Sequence, residues 1–80
     1  MRQGRYLTEF EIDRMAHAAF NAYMMAAEKS AAIRAAAEEG EEILGDSKPK
    51  RSAVLLAYQR GMLMYEAAKM RAKSELACRG

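Results

Sequence analysis

The side chains best suited to chemistry form two basic groups. Arg2, Arg5 and Tyr6 stand just ahead of a helix start. An aromatic ring can stack on a base, two guanidiniums can fork onto phosphate, and the unpaired N–H groups of a helix start add donors at the same place. Lys48, Lys50 and Arg51 form the second group, in the turn that divides the chain. From a neighbouring chain they could complete an anion site begun by the first three. These six residues are the candidate ligand-binding set for a nucleotide-type ligand. A disordered basic arm is the plainer account of the first three.

Other combinations are poorer. His17 stands four residues after Asp13 on one helix face, but no Ser or Cys nucleophile lies nearby in sequence. Cys78 is a lone thiol near the last residue and excludes an intrachain disulfide. Glu38, Glu39, Glu41 and Glu42 could attract a metal, yet carboxylate-bridged bundles need Glu-x-x-His pairs on facing helices, and this chain has none. They read better as a solvated helix end. There is no glycine-rich phosphate loop and no Cys-x-x-Cys. Catalytic residues, metal ligands and cofactors are therefore expected to be none, and the protein is not expected to be an enzyme. Lys69, Arg71, Lys73 and Arg79 make the second half basic, but the formal net charge is only +2. That balance, and the lack of a recognition-helix pattern, argue against a nucleic-acid partner.

The elements that must position these groups are helices. Thr8 is a good N-cap with Glu11 as its capping-box partner, and Leu7 and Ile12 occupy the positions of a hydrophobic staple. From there no proline intervenes until residue 49, so a first helix is predicted over about 9–44, on the order of 50 Å long. Gly40 is a possible earlier stop. Its apolar stripe reads Ile12, Ala16, Ala19, Tyr23, Ala26, Ser30, Ile33 and Ala37, in the alternating steps of a coiled-coil seam. Phe10, Met24 and Met25 fall outside that stripe. Gly45 suits a helix end, and residues 45–48 form the turn.

A second helix is predicted over about 49–76. One seam is Val54, Tyr58, Gly61, Tyr65, Ala68, Ala72 and Leu76; a second stripe, Leu56, Leu63 and Met70, repeats every seven residues on the opposite side. A helix with two opposed apolar stripes needs two neighbours. One is the first helix of its own chain; the other must come from another chain. Leu56, Leu63, Met70, Met24 and Met25 are thus the candidate oligomer interface. Gly61, in the helix interior, marks a candidate close helix crossing, the alternative being a glycine with no packing role.

Eighty residues make one small domain, and a chain this short buries only about 60% of its unfolded surface. Seventeen of the residues are alanine, which forms helix well but buries little. Without disulfide or metal, self-association is the remaining source of stability. The expected fold is all-α: an antiparallel two-helix hairpin over 8–77, with a basic arm at 1–7 and a tail at 78–80. Paired with itself it becomes a homodimeric four-helix bundle or a larger ring. Residues 9–46 carry nine acids and three bases, and residues 47–80 carry eight bases and two acids. Opposite signs favour pairing of the two helices, unless the difference merely reflects two solvated faces. No apolar leader follows the start and no run reaches the roughly 18–20 apolar residues of a membrane span. A cytoplasmic setting without a membrane partner is expected.

Two stretches carry a resemblance. Gly4-Arg5-Tyr6-Leu7-Thr8-Glu9-Phe10-Glu11-Ile12, with Met15, resembles the start of the helical hairpin in phage anti-CBASS and anti-Thoeris sponge proteins, where a Gly-Tyr-Arg stretch leads into Leu-Thr-x-x-Glu-Ile. Gln59-Arg60-Gly61-Met62-Leu63 is similar to the Gln-x-Gly-hydrophobic core of that family's second helix. Arg5 matches well; the family's first-helix lysine falls on Ala19, and its aromatic on Gly4 or, with a one-residue shift, on Tyr6. The resemblance implies a small oligomeric hairpin that sequesters a cyclic-nucleotide or cyclic ADP-ribose-type immune signal in the host cytoplasm. Alternatives are a phage or bacterial inhibitor or adaptor that grips a host protein through a helix face, and a structural or RNA-binding bundle.

Overall fold

Thr8 opens the first helix with a complete capping box. The Glu11 amide donates to Thr8 Oγ1 at 3.2 Å, and the Thr8 amide donates back to Glu11 Oε1 at 2.9 Å. Two of the otherwise unpaired amides of a helix start are satisfied in this way. In the computed structural model the backbone is described for residues 6–45 and 47–79, and side chains for 6–45 and 47–75. Arg2, Arg5 and the side chain of Cys78 lie outside the described residues.

Among the described residues the chain is all-helical, with α1 at Glu9–Ala26, α2 at Lys29–Leu44 and α3 at Arg51–Arg79. The single first helix predicted over 9–44 is two helices. Ala27 adopts a left-handed conformation at φ 56° and ψ 34°, its amide donating to the Tyr23 carbonyl at 2.7 Å. Glu28 is extended, and α2 starts at Lys29. Gly40 does not stop the helix; it lies buried within α2.

The break changes the topology. α2 folds back along α1, as the Arg14–Glu39 pair at 2.6 Å marks. After the 45–50 turn, α3 runs in the same direction as α1: Arg60 meets Glu9 and Asp13, and further along both helices Tyr65 meets Tyr23. α1 packs against both other helices, which touch each other less. At 1.5 Å per residue α1 and α2 are about 27 and 24 Å long and α3 about 43 Å. α3 therefore continues past the end of α1, and of residues 66–75 only Ala68 is even half-buried.

Refolding also shifts the phase of the packing. The predicted stripe holds through Ile12, Ala16 and Ala19, all buried, but Ala26 and Ser30 are exposed. In α2 the buried line is Ala32, Ala36 and Gly40, one residue out of step with Ile33 and Ala37, which are half-buried. Five of the eight buried hydrophobic residues are alanines, and Met15 is the largest fully buried side chain. Against Ile12, Met15 and Val54 in the core stand eight large apolar residues that face solvent: Tyr6, Phe10, Met24, Met25, Leu55, Leu56, Leu63 and Met70. Leu7, Tyr23, Ile33, Ile43, Tyr58 and Met62 add partial burial around the core. Full burial of a large side chain contributes about 1.5–3 kcal/mol, so the exposed eight still leave substantial apolar stabilisation unused within one chain.

Gly61 lies where α3 crosses α1. A Cβ there would stand 2.8 Å from the Ala16 carbonyl oxygen, 3.1 Å from Ala19 Cβ and 3.2 Å from the Phe20 nitrogen. The two backbones approach more closely than any other residue would allow.

Candidate ligand cleft and exposed helix faces

The parallel course of α1 and α3 brings their starts together. Tyr6, just ahead of the Thr8 cap, lies beside Lys50, just ahead of α3, with Lys50 Nζ 3.9 Å from the centre of the Tyr6 ring. A cation at that distance from a ring face is held by the ring quadrupole. The two residues line a cleft of about 230 Å³ together with Leu7, Glu9, Ile12, Ser52, Ala53 and Leu56. Ser52 and Ala53 belong to the first turn of α3, whose amides have no partner within the helix. The cleft thus combines one cation, one carboxylate, one aromatic ring and an apolar wall at the start of α3.

Sequence reasoning placed Lys50 and Tyr6 in one site but drew them from different chains. In the structure they come from the same chain. Lys48 and Arg51 are exposed and are not among the residues that line the cleft. Glu9 is the acidic residue of the lining, and its carboxylate accepts from Arg60 Nη2 at 2.8 Å. Arg60 also donates from Nη1 to Asp13 Oδ1 at 2.8 Å. Bonding to Glu9 first, and then to Asp13, raises the Arg60 pKa above its ordinary value. One α3 cation thereby faces two α1 acids, an ion-pair cluster between the acidic and basic halves of the chain.

A wider groove of about 600 Å³ opens beside α1 and α2, lined by Phe10, Asp13, Arg14, His17, Ala18, Asn21 and Glu39. Its His17 does not meet the Asp13 carboxylate. Nδ1 donates to the Asp13 backbone carbonyl at 2.9 Å, while the carboxylate is held by Arg60. Among the described residues no group of three or more His, Cys, Asp or Glu side chains could hold a metal ion. No helix among them is long and apolar enough to cross a membrane.

The five candidate interface residues all face solvent. Leu63 and Met70 are 69% and 68% exposed on the side of α3 away from α1, with Leu56 at 42% in line with them. Met25 is 89% exposed and Met24 57%, both in the last turn of α1. Met24 borders a third cleft of about 330 Å³ with Tyr23, Ala27, Tyr65, Ala68, Lys69 and Ala72. There Tyr23 and Tyr65 pack edge-to-face at 4.9 Å, and Lys69 lies 5.3 Å from the Tyr65 ring centre. Sequence reasoning did not single out this pair as a site, although both tyrosines were on its seams. Comparison with protein-family models, with curated proteins and with solved structures finds no match.

Proposed function

We propose that this chain is a non-enzymatic binding protein that self-associates through its exposed helix faces and sequesters a nucleotide-type anion in the cleft between the starts of α1 and α3. The observation that carries the ligand reading is Lys50 held over Tyr6 at 3.9 Å, beside the first-turn amides of α3. Phosphate is held by the cation and the helix-start donors, and a base or ribose rests on the ring and the apolar wall. Small-molecule sites usually enclose about 300–1,000 Å³, so a cleft of 230 Å³ holds only a part of such a ligand within one chain. A cyclic dinucleotide or cyclic ADP-ribose derivative would then extend towards a second copy. A phage-encoded sponge for an immune signal in the host cytoplasm is the biological form of this reading, and it draws on the resemblance of the Gly4–Ile12 stretch.

Calorimetry with cyclic dinucleotides and cyclic ADP-ribose derivatives tests it. Binding heat is expected with at least one of them, and Lys50→Ala and Tyr6→Ala are each expected to abolish it. Tyr6 is 83% exposed, so its removal leaves the helices intact. No heat with any of these ligands would remove the sponge reading. A second reading would then stand: an inhibitor or adaptor that grips a host protein. The exposure of Leu63 and Met70 on one face of α3 favours it.

A further inference from the structure

The connection between α1 and α2 is two residues long and ends α1 in a left-handed cap, but with an alanine in place of the usual glycine. Ala27 occupies a left-handed conformation, φ 56°, which is strained for an L residue and is usually filled by glycine or asparagine. Glu28, the N-cap of α2, makes no side-chain cap hydrogen bond. The first turn of α2 has no acid and begins with Lys29, and the last turn of α1 has no base. Glu28 suits the start of α2 but opposes the end of α1, and Lys29 does the reverse, so the two charges give the break no net support from the helix dipoles. In a continuous helix the same residues are unobjectionable, since Ala26, Ala27, Glu28, Lys29, Ala31 and Ala32 are all good helix formers. Straightening would relieve Ala27 and restore backbone hydrogen bonds across the break.

A chain straightened at this point loses the contacts of α2 and α3 with its own α1. A second copy offers the same surface: Met15 and Ala19 for Ala32 and Ala36, Arg14 for Glu39, and the Ala16–Phe20 backbone for Gly61. Further burial is available at the hinge end. Met24 and Met25 are exposed in the last turn of α1, and α3 carries the exposed Met70 beside and beyond it. Two half-bundles joined by straightened hinges would meet there.

We propose that the Ala27–Glu28 turn opens into a continuous helix and that two copies of the chain exchange α2 and α3 together, each pair packing on the α1 of the other copy. This rests on the self-association proposed above, driven by the exposed apolar face of α3, and adds the exchange of α2 and α3 to it.

Pulsed electron–electron resonance on the full chain tests it, with labels at His17→Cys and Glu38→Cys in a Cys78→Ser background. The doubly labelled chain is diluted into excess unlabelled chain, so that only distances within one chain are read. Folded back, the two positions lie at about the same level on neighbouring helices with axes about 10 Å apart. On a straight helix they stand about 32 Å apart. The expected result is a long-distance peak in the species with the mass of two chains. Ala27→Gly favours the turn and disfavours the straight helix, and is expected to lower that peak at least about tenfold. A two-chain mass with only the short distance would overturn the exchange and leave self-association standing. A one-chain mass would overturn both. A long-distance peak unchanged by Ala27→Gly would show that this hinge does not govern the exchange.

Discussion

Gly61 and Gly40 are both buried helical glycines, and both would place a new Cβ in close contact, but the consequences differ. At Gly61 the neighbours at 2.8 and 3.2 Å are the carbonyl oxygen of Ala16 and the nitrogen of Phe20, both in the backbone of α1. Ordinary contacts between carbon atoms lie at about 3.5–4.0 Å, so α3 as a whole must retreat by roughly half an ångström. A gap of about 0.5–1 Å forfeits a quarter to a half of the dispersion energy of every contact along the crossing. Overpacking of this kind costs about 1–3 kcal/mol, against a gain of about 1 kcal/mol from replacing glycine by alanine in a helix. Gly61→Ala is therefore expected to lose about 1 kcal/mol, and Gly61→Leu more. At Gly40 the close atoms are Cγ and Cβ of Pro49 at 2.8 and 3.0 Å, and Cε of Met15 at 3.0 Å. Met15 Cε is the far end of a flexible side chain; the proline ring is rigid and moves with its backbone, but it belongs to a turn and not to a packed helix, so the adjustment costs less than at Gly61. Gly40→Ala is expected to lie within about 0.5 kcal/mol of the parent, the helix gain offsetting the adjustment. Urea unfolding followed by helical circular dichroism, at one fixed protein concentration, measures both. A Gly61→Ala variant as stable as the parent, or less affected than Gly40→Ala, would refute the close crossing.

Thr8→Ala removes one half of the capping box and is expected to cost about 0.5–2 kcal/mol in the same urea assay; an unchanged midpoint would mean that the box contributes nothing in solution. Ala27→Gly is expected to stabilise the folded-back chain, because relief of about 1–2 kcal/mol at a left-handed alanine exceeds the added unfolded-state entropy of about 0.4–1 kcal/mol. A continuous helix over 9–44 would instead lose about 1 kcal/mol, so the sign of the change separates the two forms. Leu63→Glu is expected to abolish association while circular dichroism stays helical, since Leu63 is 69% exposed within one chain. Collapse of the helical signal at concentrations where the parent is a single chain would place Leu63 in the core instead.

Two parts of this fold were legible because their signals are local. Thr8 and Glu11 lie three residues apart and form their box without help from the rest of the chain. The opposed stripes of α3 follow from helical periodicity alone: Val54 and Gly61 are buried, while Leu63 and Met70 face out. The break at Ala27 was not legible, because its sequence contains neither glycine nor proline and its strain is offset only by tertiary packing. A faint signal existed. The predicted stripe had to accept Ser30, three residues past Ala27. Missing the break had a consequence for the site. On a straight helix of about 50 Å, Lys50 lies at the far end from Tyr6, and only another chain could bring them together. Folding back at Ala27 returns the 45–50 turn to the start of α1, and the two residues meet within one chain.

Self-association is the claim on which the remaining functional proposals depend. Its physical basis is the set of large apolar side chains, Leu63, Met70, Met24, Met25 and Phe10 above all, that stay mostly exposed around a fully buried core made largely of alanine. Sedimentation equilibrium of the unmodified protein at micromolar concentration tests it most directly. A mass of two or more chains is expected, falling to one chain for Leu63→Glu. A mass of 8.9 kDa for the unmodified protein, that of one chain, would contradict it.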